Sequence, residues 1–491
     1  MVNVELRPEP SLIFSNNKKC VDPKVGLLAY GPNGIDSEHR KGQIVRAGVI
    51  ATHSTLISLK NFLDELQRII PVTSGRRSRS EPWKREFPGL GVKGILGFEI
   101  VIDPSATETI SVDEEMKALE PNNRKEKIVN AVALYDQKFE DLASSSHPGP
   151  DLVFVPLSQR LVQACKDPAM KTDRIVYQKR TMDTTAPREN FPLFDFHHVL
   201  KVIAFQRNLA CQVVLPSTLD FDKSLQDKAT IAWNFTVAAY YKGTGTPWKL
   251  ADLDDRTCLV GISFFQEMSE DGSAMNASMA HVYVRTGESQ IIRGKPFRWE
   301  NKGKRWREPS LDSENAEKIL RDVVDLFHRQ RDSKPSRIVV HKTSPFTRDE
   351  RVGFDRAVEG VPKADYIHIE AGSGIRFYHD RLGYPPVRGT LITSSTANSP
   401  VILYTVGFVP ALDTYQGSTA PFPLTLRIER SDTNARQMAD DILCLSKMDW
   451  NSADFCRRTP VTTSVSSKVG SILAEMRARD LSPPNPYKHY M

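Results

Sequence analysis

Apolar residues recur along the chain in two alternating rhythms. Short continuous runs, AGVIA (47–51), ILGFEIVI (95–102), DLVFVPL (151–157) and CQVVL (211–215), read as strands. Between them the apolar positions fall every three or four residues. In STLISLKNFLDELQRII (54–70) they are Leu56, Leu59, Leu63, Leu66 and Ile70, which predicts a helix with one buried face. RKEKIVNAVALYDQKFEDLA (124–143), FHHVLKVIAFQR (196–207) and DKATIAWNFTVAAYYKG (227–243) predict three more, the last stopped by Gly243. Strand and helix in alternation predict a parallel, Rossmann-like layer.

After the loop TGTPW the order changes. TCLVGISFF (257–265), AHVYVR (280–285) and SQIIRG (289–294) predict three strands in succession. A helix over 313–330 follows, with Ile319, Leu320, Val323, Val324 and Phe327 on one face. RIVVH (337–341) and DYIHIEA (365–371) supply two further strands. Three strands, a helix, a strand and more α/β is the order of an RNase H-like sheet. Residues 1–45 are rich in Pro, Gly and Asn and are expected to be irregular, a linker-like segment packed on the rest. The expected units are therefore 1–45, 46–245 and 246–491, in an α/β chain with no internal repeat.

Composition narrows the class. Of 491 residues, 40% are hydrophobic and 26% charged, ordinary for a soluble globular protein with cores to bury. The formal net charge of +6 favours an anionic partner, such as nucleic acid, over a cationic one. Six cysteines form no C-x-x-C pair and no zinc spacing, so reduced thiols in a cytoplasmic protein are expected. MVNVELRPEP has no apolar signal core, and the longest apolar run, VILYTVGFVPAL (401–412), is broken by Gly407 and Pro410.

The candidate chemistry is sparse. His197 and Lys201 lie four apart and so share a helix face. Gln212 opens the next strand and Lys242 ends a later helix. Together they could converge on a phosphate, lysines supplying charge and His and Gln directed hydrogen bonds. Singly each has a plain reading: a Lys at a helix end complements the dipole, and a surface His is solvated. KGTGTPW and GSGIRF (372–377) lack the spacing of a phosphate loop. RRSRSEPWKR (76–85) and FRWENKGKRWR (297–307) mix basic and aromatic residues, suited to nucleic acid or to a solvated loop. Nuclease chemistry with two metals needs several carboxylates at the strand tips. Ser263 and Thr343 stand there instead, with Asp349 and Glu350 in what reads as a downstream loop. No G-x-S-x-G elbow is present.

Taken in order, PSLIFSNNKKCVDPKVGLLAYGP, FHHVLKVIAFQRNLACQVV, AAYYKGTGTPWKL, PLTLRIERSDTNARQMADDILCLSKMDWNS and RRTPVTTSVSSKVGSIL resemble the short prokaryotic Argonautes. The resemblance runs over essentially the whole chain. It implies a Rossmann-like MID domain followed by an RNase H-like PIWI domain, without the N and PAZ lobes of long Argonautes. In that family the MID motif anchors a guide's 5′-phosphate, and His197, Lys201, Gln212 and Lys242 fit it in order. The family also brings the C-terminal carboxylate, here Met491, to the phosphate through a divalent ion, Mg²⁺. Active PIWI domains carry acidic or His ligands at positions matching Ser263, Thr343 and Ser467, so the resemblance implies a lost nuclease site. It further implies an RNA guide, a DNA target, and a heterodimer with an APAZ-containing effector of TIR or sirtuin-like type. Such an effector would deplete NAD in defence against phages or plasmids, with oligomerisation on target binding. Two rival readings are an active nuclease using Asp349 or Glu350, and a Rossmann-like small-molecule binder, which here lacks a G-x-G-x-x-G turn.

Overall fold

The computed structural model describes residues 2–33, 43–72, 83–91, 96–145, 148–166, 195–222, 226–268, 274–283, 289–297, 309–372, 376–377, 385–396, 399–417, 419–465, 469–470, 472–473, 475 and 486–491. Two large sheets organise them, beside a small antiparallel one of Lys19–Cys20, Leu12–Ile13 and Lys249–Leu250. The first has four parallel strands in the order Phe98–Ile110, Gln43–Thr52, Leu152–Pro156, Cys211–Val214. Its strand Leu152–Pro156 is buried along its whole length, because helices cover both faces. Leu152 and Phe154 pack toward Phe62, Trp233 and Tyr240; Val153 and Val155 point the other way, toward Tyr135, Phe139 and Val199. The helices are Lys228–Gly243 and His53–Glu65 on one side and Arg124–Ser145 and Phe196–Gln206 on the other.

The second sheet has nine strands. From one edge they are Val2–Leu6, Thr390–Ser394, Val401–Leu403, Leu424–Arg430, Lys363–Glu370, Arg337–Lys342, Thr257–Met268, Ala274–Tyr283 and Ser289–Phe297. The last three, expected as successive strands, form an antiparallel meander, and Thr257–Met268, Arg337–Lys342 and Lys363–Glu370 are parallel at the centre. Helix Ser313–Arg331 buries the predicted face, Ile319 to Phe327, against Ile338 and Val340. Helix Ala435–Leu445 covers the opposite face, over Val339 and Ile367.

Several elements differ from the sequence reading. The helix expected over 54–70 ends at Glu65. Pro71 disfavours helical backbone at Ile70, which instead bridges to Phe87. The strand expected to stop at 102 runs on to Ile110 through Pro104, which an edge strand tolerates. Helix Val112–Leu119 was not anticipated, although Ser111 and Glu114 close a reciprocal capping box at its start. Asp349 and Glu350 are not in a loop but in the first turn of helix Arg348–Ala357.

The supposedly irregular N-terminus is the largest departure. Val2–Leu6 is the outermost strand of the nine-stranded sheet, with Leu6 paired to Thr390. Pro23–Tyr30 is a helix capped by Asp22. Arg7 grips Asp440 through two bonds of 2.9 and 2.7 Å. Glu9 is held between Arg388 at 2.8 Å and the buried ammonium of Lys447 at 2.5 Å. Lys447 also donates to the carbonyls of Pro10 and Val21. A segment with little core of its own is thus fixed by charge-assisted bonds.

Three histidines are buried in neutral form. Burial pushes the imidazole of His281 down to about 4, and that of His489 to about 4. Burial, helped by Arg337, pushes His341 to about 3. In the unfolded chain each titrates near about 6.5, so below that pH the unfolded state binds more protons than the folded one. Their contribution is complete above neutrality and is lost as pH falls from about 6.5 toward 4. Each costs at most about 1.4 kcal/mol per pH unit over that range. Urea unfolding should show a marked fall in stability between pH 7.5 and 5, shallower in His341→Asn; equal stability at both pH values would refute it.

Candidate functional site

The first sheet places three of the four phosphate candidates together. Asp195 caps helix Phe196–Gln206 by accepting from the His197 N–H at 3.1 Å. One turn on, Lys201 is buried at 6% exposure and donates to the Tyr490 carbonyl at 3.3 Å. The chain then enters strand Cys211–Val214, with Gln212 as its second residue. Helix Lys228–Gly243 returns across the sheet and ends with Lys242, whose ammonium donates to the Cys211 carbonyl at 3.2 Å and to the Gln212 side-chain oxygen. Lys201, Gln212 and Lys242 therefore surround one point, from the middle of one helix, a strand and the end of a second helix. His197 is half-buried and stands one turn before Lys201, its ring 5.9 Å from that of His198.

The electrostatics of this point are unusual. Burial, reinforced by repulsion from Lys201, holds the Lys242 ammonium well below its ordinary range. Its hydrogen-bond acceptors are neutral oxygens, so no carboxylate offsets the burial. An anion entering beside the two lysines would supply the missing charge.

The chain's last residues close the point from the other half of the molecule. Pro486 bridges to Gln290 on the nine-stranded sheet. Tyr487 packs between Tyr241 and His281, and Tyr490 against Phe205. Met491 is buried at 5% exposure. The sequence reading named Met491 but missed Tyr490, whose carbonyl is the observed partner of Lys201.

The second candidate point lies where the central strands of the nine-stranded sheet end. Lys342 pairs with Ile262 in register, which sets Thr343 level with Ser263 on the neighbouring strand. Ser263 is not at a strand tip, as expected, since its strand continues to Met268. Its hydroxyl is buried without a hydrogen-bond partner among the described residues. Gly261 is required here: a Cβ would lie 1.7 Å from the Thr462 carbonyl oxygen of the short helix Val461–Ser464 crossing above. His341 is buried and bonds Thr462 through Nδ1 at 2.9 Å.

The nearby carboxylates are already engaged. Glu350 is fully buried and contacts the Lys342 ammonium at 2.6 Å. It also accepts from the backbone N–H of Leu311 at 3.1 Å and of Thr347 at 2.9 Å. Asp349 is exposed. Glu370, at the end of the next parallel strand, was not weighed in the sequence; it accepts from Arg427 at 2.7 Å. Ser467 and most of the two basic–aromatic segments fall outside the described residues.

Known proteins match this architecture. A protein argonaute of Aquifex aeolicus (strain VF5) is 22% identical over 289 residues, 58% of this chain and 36% of that protein. Clostridium butyricum Argonaute bound to a guide DNA and a 19-mer target DNA superposes with a TM-score of 0.63 at 14% identity, over 97% of this chain and 53% of that one. Drosophila Piwi superposes with a TM-score of 0.58 at 13% identity, over 99% of this chain and 56% of that one. No protein-family model matches the chain. The fold is thus the α/β, MID–PIWI arrangement of Argonaute and Piwi proteins, and the chain spans about a third of the curated relative and just over half of these solved chains. Among the described residues no helix is long and apolar enough to cross a membrane.

An anion at Lys201 and Lys242 should raise the proton affinity of Lys242, so binding should take up protons. Calorimetry with a phosphate monoester in two buffers of different ionisation enthalpy should report that uptake, and affinity should fall as pH rises through the alkaline range. At 100 times its Kd the ligand should stabilise the fold by about 2.7 kcal/mol. Lys242→Met should abolish the proton uptake. Buffer-independent heats for the unaltered chain would mean that Lys242 does not meet the anion.

Proposed function

We propose that this chain is a short Argonaute that senses nucleic acid and performs no cleavage of its own. Carrying the reading is the buried lysine pair, Lys201 with Lys242, beside Gln212 and the chain's last residues. A guide's 5′-phosphate, close to doubly charged, is the anion best matched to two adjacent ammonium groups. His197 would join from one helical turn away. An RNA guide would pair with a DNA target, leaving sequence readout to base pairing. The fit to Mg²⁺ is through oxygen: the Met491 carboxylate, beside Lys201's partner Tyr490, could hold the ion against the phosphate, where it would neutralise charge.

The inactive reading is supported at the strand ends. Ser263 and Thr343 carry no charge with which to hold two dications. Glu350, one of the suggested substitutes, is occupied by Lys342 and two backbone N–H groups, and freeing it would strand a buried ammonium at a cost of about 3–5 kcal/mol. Output would then come from a partner. We propose a cytoplasmic heterodimer with an APAZ-containing effector of TIR or sirtuin-like type, whose NAD hydrolysis follows target recognition and assembly, in defence against phages or plasmids. The resemblance to short Argonautes is the support for this step.

Guide binding should require the 5′-phosphate. Charge-assisted hydrogen bonds of about 1.5–3 kcal/mol each make Lys201→Ala weaken a phosphorylated guide by about tenfold or more. A 5′-hydroxyl guide should be affected much less, and equal losses for both would place Lys201 elsewhere in the channel.

Loaded with guide and target and supplied with Mg²⁺ or Mn²⁺, the chain should leave both strands intact. The same mixture with its effector should consume NAD. Guide-directed cleavage abolished by Asp349→Asn would establish the active-nuclease reading instead.

A further inference from the structure

A second group of side chains at the start of helix Phe196–Gln206 shares only His197 with the phosphate reading. Asp195, His197 and His198 each offer one donor atom, and the three atoms lie within 4.8 Å of one another. We infer that these residues form a binding site for a borderline divalent ion such as Zn²⁺. The inference does not depend on guide binding.

The spacing carries the argument. His198 Nδ1 stands 3.5 Å from Asp195 Oδ2, with both side chains buried. A charge-assisted hydrogen bond between them would be about 2.7–2.9 Å long. Two ligands of one tetrahedral ion with bonds of about 2.0–2.1 Å lie about 3.4 Å apart. The observed gap is thus long for a hydrogen bond and matches the edge of a coordination tetrahedron. His197 is half-buried, so rotation of its side chain can close the wider part of the triangle.

Asp195 is also set for the task by its surroundings. Its Oδ1 accepts from the His197 N–H, and its own N–H donates to Glu475 Oε1 at 3.1 Å. These bonds orient the carboxylate and leave Oδ2 toward His198. Glu475 is itself buried, so two acidic residues stand at a helix N-terminus whose dipole would otherwise oppose a cation. Two imidazoles and one carboxylate favour Zn²⁺ or Co²⁺ over Mg²⁺, which prefers oxygen. The site is therefore chemically distinct from one built on the Met491 carboxylate. Three protein ligands leave a position open for water or an added anion.

The test uses the full chain, stripped of metal and held without nucleic acid in excess Mg²⁺. Titration with Co²⁺ should give one tight equivalent with ligand-field absorption and no thiolate charge-transfer band, displaced by Zn²⁺. Asp195→Asn keeps a helix-capping side chain and should weaken Co²⁺ by more than about tenfold, as should His198→Gln. His197→Gln alters a half-exposed residue and should weaken it as well, which keeps the test valid if a buried variant fails to fold. Co²⁺ bound no more tightly than Mg²⁺, a thiolate band, or unchanged affinity in His197→Gln and Asp195→Asn would overturn the inference.

Discussion

Two lysine side chains are buried close enough inside this protein for their charges to repel, and the elements around the first sheet hold them there. Lys201 comes from the middle of one helix, Lys242 from the end of another, and Gln212 from the strand between them in sequence. The parallel sheet fixes all three, because its strand Leu152–Pro156 is packed on both faces and leaves no room for slippage. Lysine tolerates such a position better than arginine, since burial can lower its proton affinity whereas a guanidinium stays charged.

The nine-stranded sheet resolves its internal charges in the opposite way. Lys342, as buried as Lys242, has Glu350 against it at 2.6 Å. Arg337 lies between Asp365 and Asp441 at 2.8 and 2.7 Å. Each cation has its anion within the protein and gains nothing from an outside one. Beside them stand the neutral hydroxyls of Ser263 and Thr343. Between the two sheets run the last six residues, tied by aromatic packing to both.

Regular, strongly periodic elements were legible in the sequence. The apolar strand 152–156, the apolar run Ile338 to Val340 and the amphipathic helix 313–331 needed only their own residues to declare them. Elements that borrow their stability from elsewhere were not. Val2–Leu6 is a strand only because Thr390–Ser394 lies beside it, and Pro104 sits in a strand only because that strand is an edge. The phosphate candidates could be named from family resemblance, but not the cost of burying Lys242, which depends on what surrounds it. Nor could spacing show that Glu350 is consumed by Lys342, eight residues earlier, rather than exposed in a loop. Nor does spacing show that His198 stands 3.5 Å from the capping carboxylate of Asp195.

Pairing Leu6 with Thr390 has a consequence for synthesis. The first strand leaves the ribosome long before its partner exists. At about 5–20 residues per second the wait is roughly 20–80 seconds. Throughout it, Val2, Val4 and Leu6 have no sheet to join, and even afterwards they keep more than half of their surface in water, at 65, 62 and 58% exposure. The edge of the nine-stranded sheet is therefore completed only once Thr390–Ser394 has emerged, and it depends on a nascent segment staying unattached until then.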